Sequence, residues 1–289
     1  MTKRTLIALV AAIAATALTA AVAVAATITG TDGNDRLVGS QLADTISAKD
    51  GDDKVSARKG NDRVFAGQGA DRVFGNRGDD TLFGGRGADR VHGNLGNDTI
   101  DGGKADGGET TASNRLFGGP GNDKVTGDDG ADRLRGGIGN DTLNGEAGVD
   151  LMSGGQGDDV QNGGAGNDRI FANRGVDTSD GGAGDDDLWA LARADVPQPG
   201  SDTLIGGEGN DTFHLRDGEA DKVDCGAGTD TALLDLQDVI ADATAENPGG
   251  SCEQVVRAPA KSKVNDDESR SEDTQETSKE DSSESQRAG

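Results

Sequence analysis

The chain contains no tyrosine, one tryptophan, two histidines and two cysteines in 289 residues. With so few aromatic rings, any core must be aliphatic and thin. His92 and His214 stand alone in the sequence, and there is no H-E-x-x-H or G-x-S-x-G stretch and no Cys–His pairing. The residues of a zinc protease, an acyl hydrolase elbow or a cysteine nucleophile are therefore missing. Cationic residues are outnumbered, 28 Lys and Arg against 53 Asp and Glu, for a net charge of −25. A polyanion of this kind is a poor nucleic-acid binder. Beyond the first 26 residues no second apolar segment could hold the chain in a membrane.

Glycine is abundant, at 48 residues, and it is periodic. The run from Gly30 to Asp101 divides into eight nine-residue units, GTDGNDRLV, GSQLADTIS, AKDGDDKVS, ARKGNDRVF, AGQGADRVF, GNRGDDTLF, GGRGADRVH and GNLGNDTID. Their shared form is G-G-x-G-x-D-x-U-x, with U a large aliphatic residue. Position six holds Asp35, Asp44, Asp53, Asp62, Asp71, Asp80, Asp89 and Asp98. Position eight holds Leu37, Ile46, Val55, Val64, Val73, Leu82, Val91 and Ile100. A second block of eight units runs from Gly118 to Trp189. It places Asp123, Asp132, Asp141, Asp150, Asp159, Asp168, Asp177 and Asp186 at position six. Sixteen residues follow each block. Each connector reads as one degenerate unit plus seven inserted residues, with Asn114 and Asp202 at position six. A last group, residues 206–233, adds Asp211, Asp221 and Asp230.

Repetition in one register comes before any other inference, because such units bury their apolar face only by stacking. The x-U-x triplet alternates out, in, out, as a short half-buried strand does. The six residues before it are rich in glycine and can turn with positive φ. Two units then form one flattened coil of 18 residues, and coils stack as parallel strands about 4.8 Å apart. Asp35, Asp53, Asp71 and Asp89 line one edge; Asp44, Asp62, Asp80 and Asp98 line the other. Like charges at that spacing repel by about 1 kcal/mol per neighbour in water, and more in a less polar setting. Calcium fits such an edge, since it takes six to eight hard oxygens from carboxylates and backbone carbonyls.

This nonapeptide resembles the calcium-binding repeat of the RTX, or hemolysin-type, family. The resemblance extends from Gly30 to about Val256. It implies an all-β chain: a right-handed parallel β-roll, or β-solenoid, of stacked 18-residue coils. It also implies calcium ions bound between turns 18 residues apart, with the position-six aspartates through Asp202, Asp211, Asp221 and Asp230 as metal ligands. Eight units make two stacks of four turns, so two separate blocks would hold roughly 12 ions. Some positions depart from the pattern. Leu42 replaces the fourth glycine, and Ala48, Ala57, Ala66 and Ala172 replace the first. Gln161 and Ser179 replace the inward aliphatic residue, and Asn114 is neutral. Sites and core are expected to be weaker there.

The ends give the context. Lys3 and Arg4 precede an apolar, alanine-rich stretch ending in AVAVAA, the pattern of a secretory signal peptide over residues 1–26. The roll then spans 27–257, with blocks at 30–101, 118–189 and 206–233. Cys225 and Cys252 are expected to form a disulfide in an exported protein. They would staple a cap over about 225–256, which includes LLDLQDVI and covers the open end of the solenoid. Residues 258–289 are Ser, Glu, Asp, Lys and Gln with little apolar content, the composition of a disordered tail. Phe65 and Phe83 are expected side by side on one outer face, with Phe74 on the other. Arginines at position seven would offset neighbouring acids.

The expected function is a secreted, extracellular, non-catalytic calcium-binding protein that folds as ions fill the turns. The competing reading is a calcium-stiffened adhesin or surface-structural protein with a cell or glycan partner. A parallel β-helix enzyme needs a cleft and a catalytic constellation, and neither is encoded.

Overall fold

The computed structural model describes residues 25–103, 112–190, 201–244, 247 and 249–259. The proposed signal peptide and tail therefore lie outside the described residues, apart from Ala25, Ala26, Ala258 and Pro259. Most of the two seven-residue insertions lies outside them too.

Among the described residues, twenty-four strands follow one another: β1 (Thr27–Thr29), β2 (Arg36–Val38), β3 (Thr45–Asp50), β4 (Lys54–Lys59), β5 (Arg63–Gln68), β6 (Arg72–Arg77), β7 (Thr81–Arg86) and β8 (Arg90–Leu95). Then come β9 (Thr99–Asp101), β10 (Arg115–Pro120), β11 (Lys124–Asp129), β12 (Arg133–Ile138), β13 (Thr142–Ala147), β14 (Leu151–Gln156), β15 (Val160–Ala165) and β16 (Arg169–Arg174). The last are β17 (Thr178–Ala183), β18 (Asp187–Trp189), β19 (Thr203–Glu208), β20 (Thr212–Leu215), β21 (Lys222–Ala227), β22 (Thr231–Leu234), β23 (Val239–Ile240) and β24 (Gln254–Arg257). Odd-numbered strands form one 12-stranded sheet and even-numbered strands form the other. Each strand pairs in parallel with the strand two places on, as in Ile46↔Val64 and Val55↔Val73. This is the parallel β-solenoid with 18-residue coils that the period predicts.

Most strands are longer than the triplet pattern implies. They run six residues, from position seven of one unit through position three of the next, with burial alternating as in Thr81–Arg86. Position one therefore points inward beside position eight. That explains Ala48, Ala57, Ala66 and Ala172: they are 0–1% exposed and join the core instead of damaging it. The turn shrinks to positions four to six. Position two has positive φ and admits side chains near the left-handed well, as at Asn76 (φ 81°) and Arg58 (φ 86°). Position four lies beyond that well, as at Gly69 (φ 128°). A Cβ there would strike the carbonyl of Gly51 in the coil below.

The aliphatic seam from Ile46 to Ile170 is continuous, and a second cluster runs from Leu188 to Ile240 and Cys252. Gln161 and Ser179 are both 1% exposed and stack in register in the odd-numbered sheet, between Leu143 and Leu204. Ser179 Oγ bonds Gln161 Oε1 at 3.1 Å, while Gln161 Nε2 is buried without a partner. An unpaired buried amide of this kind is costly.

Both connectors keep register. β8 pairs β10 and β9 pairs β11 across 25 residues, which is 18 plus the seven inserted. The two blocks thus form one uninterrupted roll.

Cys225 and Cys252 are joined, with Cα atoms 5.2 Å apart and a sequence separation of 27. The cap is a further coil: β23 adds to β21 and β24 adds to β22. Replacing both cysteines with serine should cost roughly 3 kcal/mol. The loss should be local. Hydrogen exchange should quicken across 222–257 and stay unchanged across 45–101; uniform loss of protection would contradict a capping role.

Candidate metal centre

Each position-six aspartate sits at the N-terminal entry to a strand, where the turn brings it under the next coil. From Asp44 to Asp230 these residues are no more than 3% exposed. One carboxylate oxygen has a fixed task. Oδ1 accepts the backbone N–H of the aspartate one coil earlier, as from Asp53 to Asp71 (2.7 Å), Asp71 to Asp89 (2.8 Å) and Asp62 to Asp80 (2.7 Å). The chain of bonds crosses the connectors, from Asp98 to Asp123 (2.7 Å) and from Asp177 to Asp202 (2.8 Å).

The other oxygen has none. In seventeen of the twenty aspartates Oδ2 is buried with no hydrogen-bond partner. Such atoms are rarely left unpaired in folded proteins, and each asks for a donor, a water or an ion. The exceptions are Asp35, Asp44 and Asp202. Asp35 and Asp44 stand at the first coil, where the N–H groups of Thr31 and Ser40 bond their Oδ2 atoms. Where position one of the unit is glycine, Oδ2 faces it. A methyl on Gly75 would collide with Asp80 Oδ2 and press on the carbonyl oxygen of Gly93 in the next coil; Gly145 lies likewise between Asp150 Oδ2 and the Gly163 carbonyl. A carboxylate oxygen and a carbonyl oxygen from successive coils thus converge. Among the described residues, no group of three or more His, Cys, Asp or Glu side chains gathers at one point. The architecture explains this, since each coil brings one such carboxylate to each edge and backbone oxygens supply the rest. The donor set, all hard oxygen, fits calcium and not a soft metal.

Burial pushes these carboxyls up, and their neighbours in the ladder push further. Asp62 and Asp71 rise to about 6, and Asp80, Asp89 and Asp98 to about 7. Asp177 reaches about 8, and Asp221, crowded by Asp217, about 9. The N–H donated from the preceding coil opposes the rise without cancelling it. At Asp44 burial is outweighed by hydrogen bonds from Ser40 and Ala26, and the carboxyl falls below its ordinary value.

Such a periodic, in-phase row is the signature of one family, and its sequence model matches most of the chain. The RTX calcium-binding nonapeptide repeat matches at residues 26–41, 38–73, 74–107, 110–143, 126–161, 162–188 and 198–232. The chain belongs to the RTX calcium-binding repeat family. No curated protein matches it.

Three features of this RTX roll were not read from its sequence. Asp238 continues one edge, accepting the N–H of Asp221 at 3.2 Å, and Glu253 continues the other, accepting from Asp230 at 2.8 Å. Neither falls on the nine-residue period, because the cap coil is irregular. The third is a second ladder at position five. There Asn61, Asp79, Asn97, Asn122, Asn140 and Asp158 each bond the next coil's N–H through Oδ1, at 2.7–3.1 Å. The recurrent N-D and D-D dipeptides were its signal. The aromatic expectation holds. Phe65 and Phe83 stack at 5.0 Å on the odd-numbered sheet, and Phe74 stacks on His92 of the even-numbered sheet at 5.2 Å.

Asp71→Ala removes a mid-ladder carboxylate and strands the Asp53 N–H. It should weaken calcium binding at both adjoining gaps. Asp35→Ala should do less, because Asp35 has one ladder neighbour and its Oδ2 already has a partner. Calorimetry on both variants checks this; equal losses would argue against coupling at 18-residue spacing.

Proposed function

We propose that the chain is a secreted, non-catalytic calcium-binding repeat protein whose roll folds as ions fill its edges. The observation that carries this is the row of buried Oδ2 atoms without partners. In this reading the position-six aspartates from Asp35 to Asp230 are the ligands, with Asp238 and Glu253 closing the rows, and carbonyls of adjacent turns complete each shell. The ions neutralise carboxylates that otherwise repel or hold protons. Residues 1–26 act as the signal peptide, 27–257 as the roll, and 258–289 as a tail. The disulfide and the family support export to an oxidising compartment. Among the described residues no helix is long and apolar enough to cross a membrane.

The adhesin reading adds a partner to the same roll, and a charge asymmetry between the two sheets favours pursuing it. Calorimetry on the 27–257 chain tests the primary reading. Calcium should bind with a large heat at many sites, and magnesium should bind weakly, since it demands tight octahedral geometry. Equal binding of both ions would contradict it.

A further inference from the structure

The two sheets carry different charge. The first six strands of the even-numbered sheet, β2 to β12, hold ten Lys and Arg and no Asp or Glu. The first six strands of the odd-numbered sheet, β1 to β11, hold four of each. In a chain of net charge −25, the strands in the first half of the even-numbered sheet thus carry basic charge alone, although Asp187 follows in β18. Its main feature is a row at position seven: Arg36, Lys54, Arg72, Arg90, Arg115 and Arg133 stand in register, one per coil. All six are partly or fully exposed.

Like charges directly opposite on paired strands are destabilising, so the row needs a reason. Balancing the aspartate edge is not sufficient. The odd-numbered sheet abuts an equally buried aspartate row, yet its position seven is mostly threonine: Thr27, Thr45, Thr81, Thr99 and Thr142. A groove of about 640 Å³ runs beside the cations across four coils; Lys54, Arg72, Arg90 and Arg115 line it together with Asp52 and the ladder residues Asp53, Asp71 and Asp89, and Ala70, Ala88 and Ser113 leave it open. On the other edge the equivalent places carry the larger Asn61, Asp79 and Asn97.

We infer that this face is a docking site for a linear acidic polysaccharide lying along the roll axis. The inference rests on the folded, exported roll of the previous section. With calcium offsetting Asp53, Asp71 and Asp89, a groove with one cation per coil matches a polymer that repeats its anion at a regular interval. A guanidinium holds carboxylate or sulfate through paired hydrogen bonds. Single-stranded nucleic acid fits worse, because it needs open aromatic faces on which to stack. Here Phe74, His92 and Phe117 cover one another at 5.2 and 4.6 Å, within 12° of parallel, and Lys54 lies over the Phe74 ring at 5.4 Å. A concave lane also fits a chain better than a flat bilayer.

The test is binding to dextran sulfate in excess calcium, with neutral dextran, oligothymidine and polyglutamate as comparisons. Far-UV spectra confirm that each protein is folded. The parent should bind dextran sulfate, ignore dextran, and bind the other two polyanions at least tenfold more weakly. The triple variant Arg72→Thr, Arg90→Thr, Arg115→Thr copies the residue used on the other sheet. It should lose at least tenfold in affinity. Arg90→Thr alone provides a milder change should the triple variant not fold, with a loss of a few fold expected. Arg63→Thr with Lys124→Thr, on the odd-numbered sheet, should change nothing. A folded parent that fails to bind dextran sulfate overturns the inference while leaving the calcium reading intact. So does unchanged binding by the folded triple variant, or by Arg90→Thr where the triple variant does not fold. So does loss of binding in the Arg63 and Lys124 variant, or oligothymidine or polyglutamate binding as well as dextran sulfate.

Discussion

Stripped of calcium, the roll should gain structure as the solution is made acidic, the reverse of most proteins. The sign follows from the aspartate rows. In the folded state their carboxyls titrate near 6 to 8, as at Asp71, Asp98 and Asp177, against an ordinary value of 3.8. Between about pH 4 and pH 7 the folded chain therefore holds more protons than the unfolded chain. Stability falls with rising pH wherever the folded state binds more protons. It is fully present below the ordinary carboxylate value and lost as pH passes the raised values. Calcium inverts this, since the ion and the proton compete for the same oxygen. In millimolar calcium the roll should be most stable near neutrality and should release its ions as the pH falls towards 5. Far-UV spectra of calcium-stripped and calcium-loaded protein from pH 4 to pH 8 check both arms. Parallel pH profiles with and without calcium would show that the carboxylates do not hold the ion.

The second large effect is the number of ions. Successive position-six residues make ten gaps on one edge, from Asp35 to Asp230, and nine on the other, from Asp44 to Asp221. The two gaps beside Asn114 lack one carboxylate each. About 17 strong sites and two weak ones are expected at these gaps, one per gap, and the cap gaps Asp221–Asp238 and Asp230–Glu253 would add about two more. Two separate blocks would hold roughly 12, and the difference comes from the connectors, which keep register, and from the last repeat group. Native mass spectrometry of the loaded chain counts the ions directly. Asn114→Asp should strengthen the two weak sites without moving the fold. A count of one or two would contradict a continuous ladder.

Much of this was legible because the period is exact in phase over 72 residues at a time. Position six named the buried aspartates, position eight named the core, and a spacing of 18 named the strand partners. What escaped has physical causes. Strand length was underestimated because glycine at positions one and two reads as turn, although position one is an inward core place that alanine fills as at Ala57. Position two takes a left-handed backbone inside a strand, which no pattern of side chains announces. Asp238 and Glu253 escaped because the cap coil is irregular. The division of labour between Oδ1 and Oδ2 is invisible in sequence, since it depends on the N–H one coil away.

The central claim is that the chain folds because ions occupy these rows. Its most direct test is the far-UV spectrum of residues 27–257 at neutral pH in chelator, then in rising calcium. The account predicts a largely unfolded chain in chelator, because its carboxylates repel, its core is thin and its glycines are costly to order. It predicts a steep, cooperative gain of β signal in millimolar calcium as each coil templates the next. A complete β spectrum in chelator, unchanged by calcium, would contradict it and leave the ion as a surface decoration.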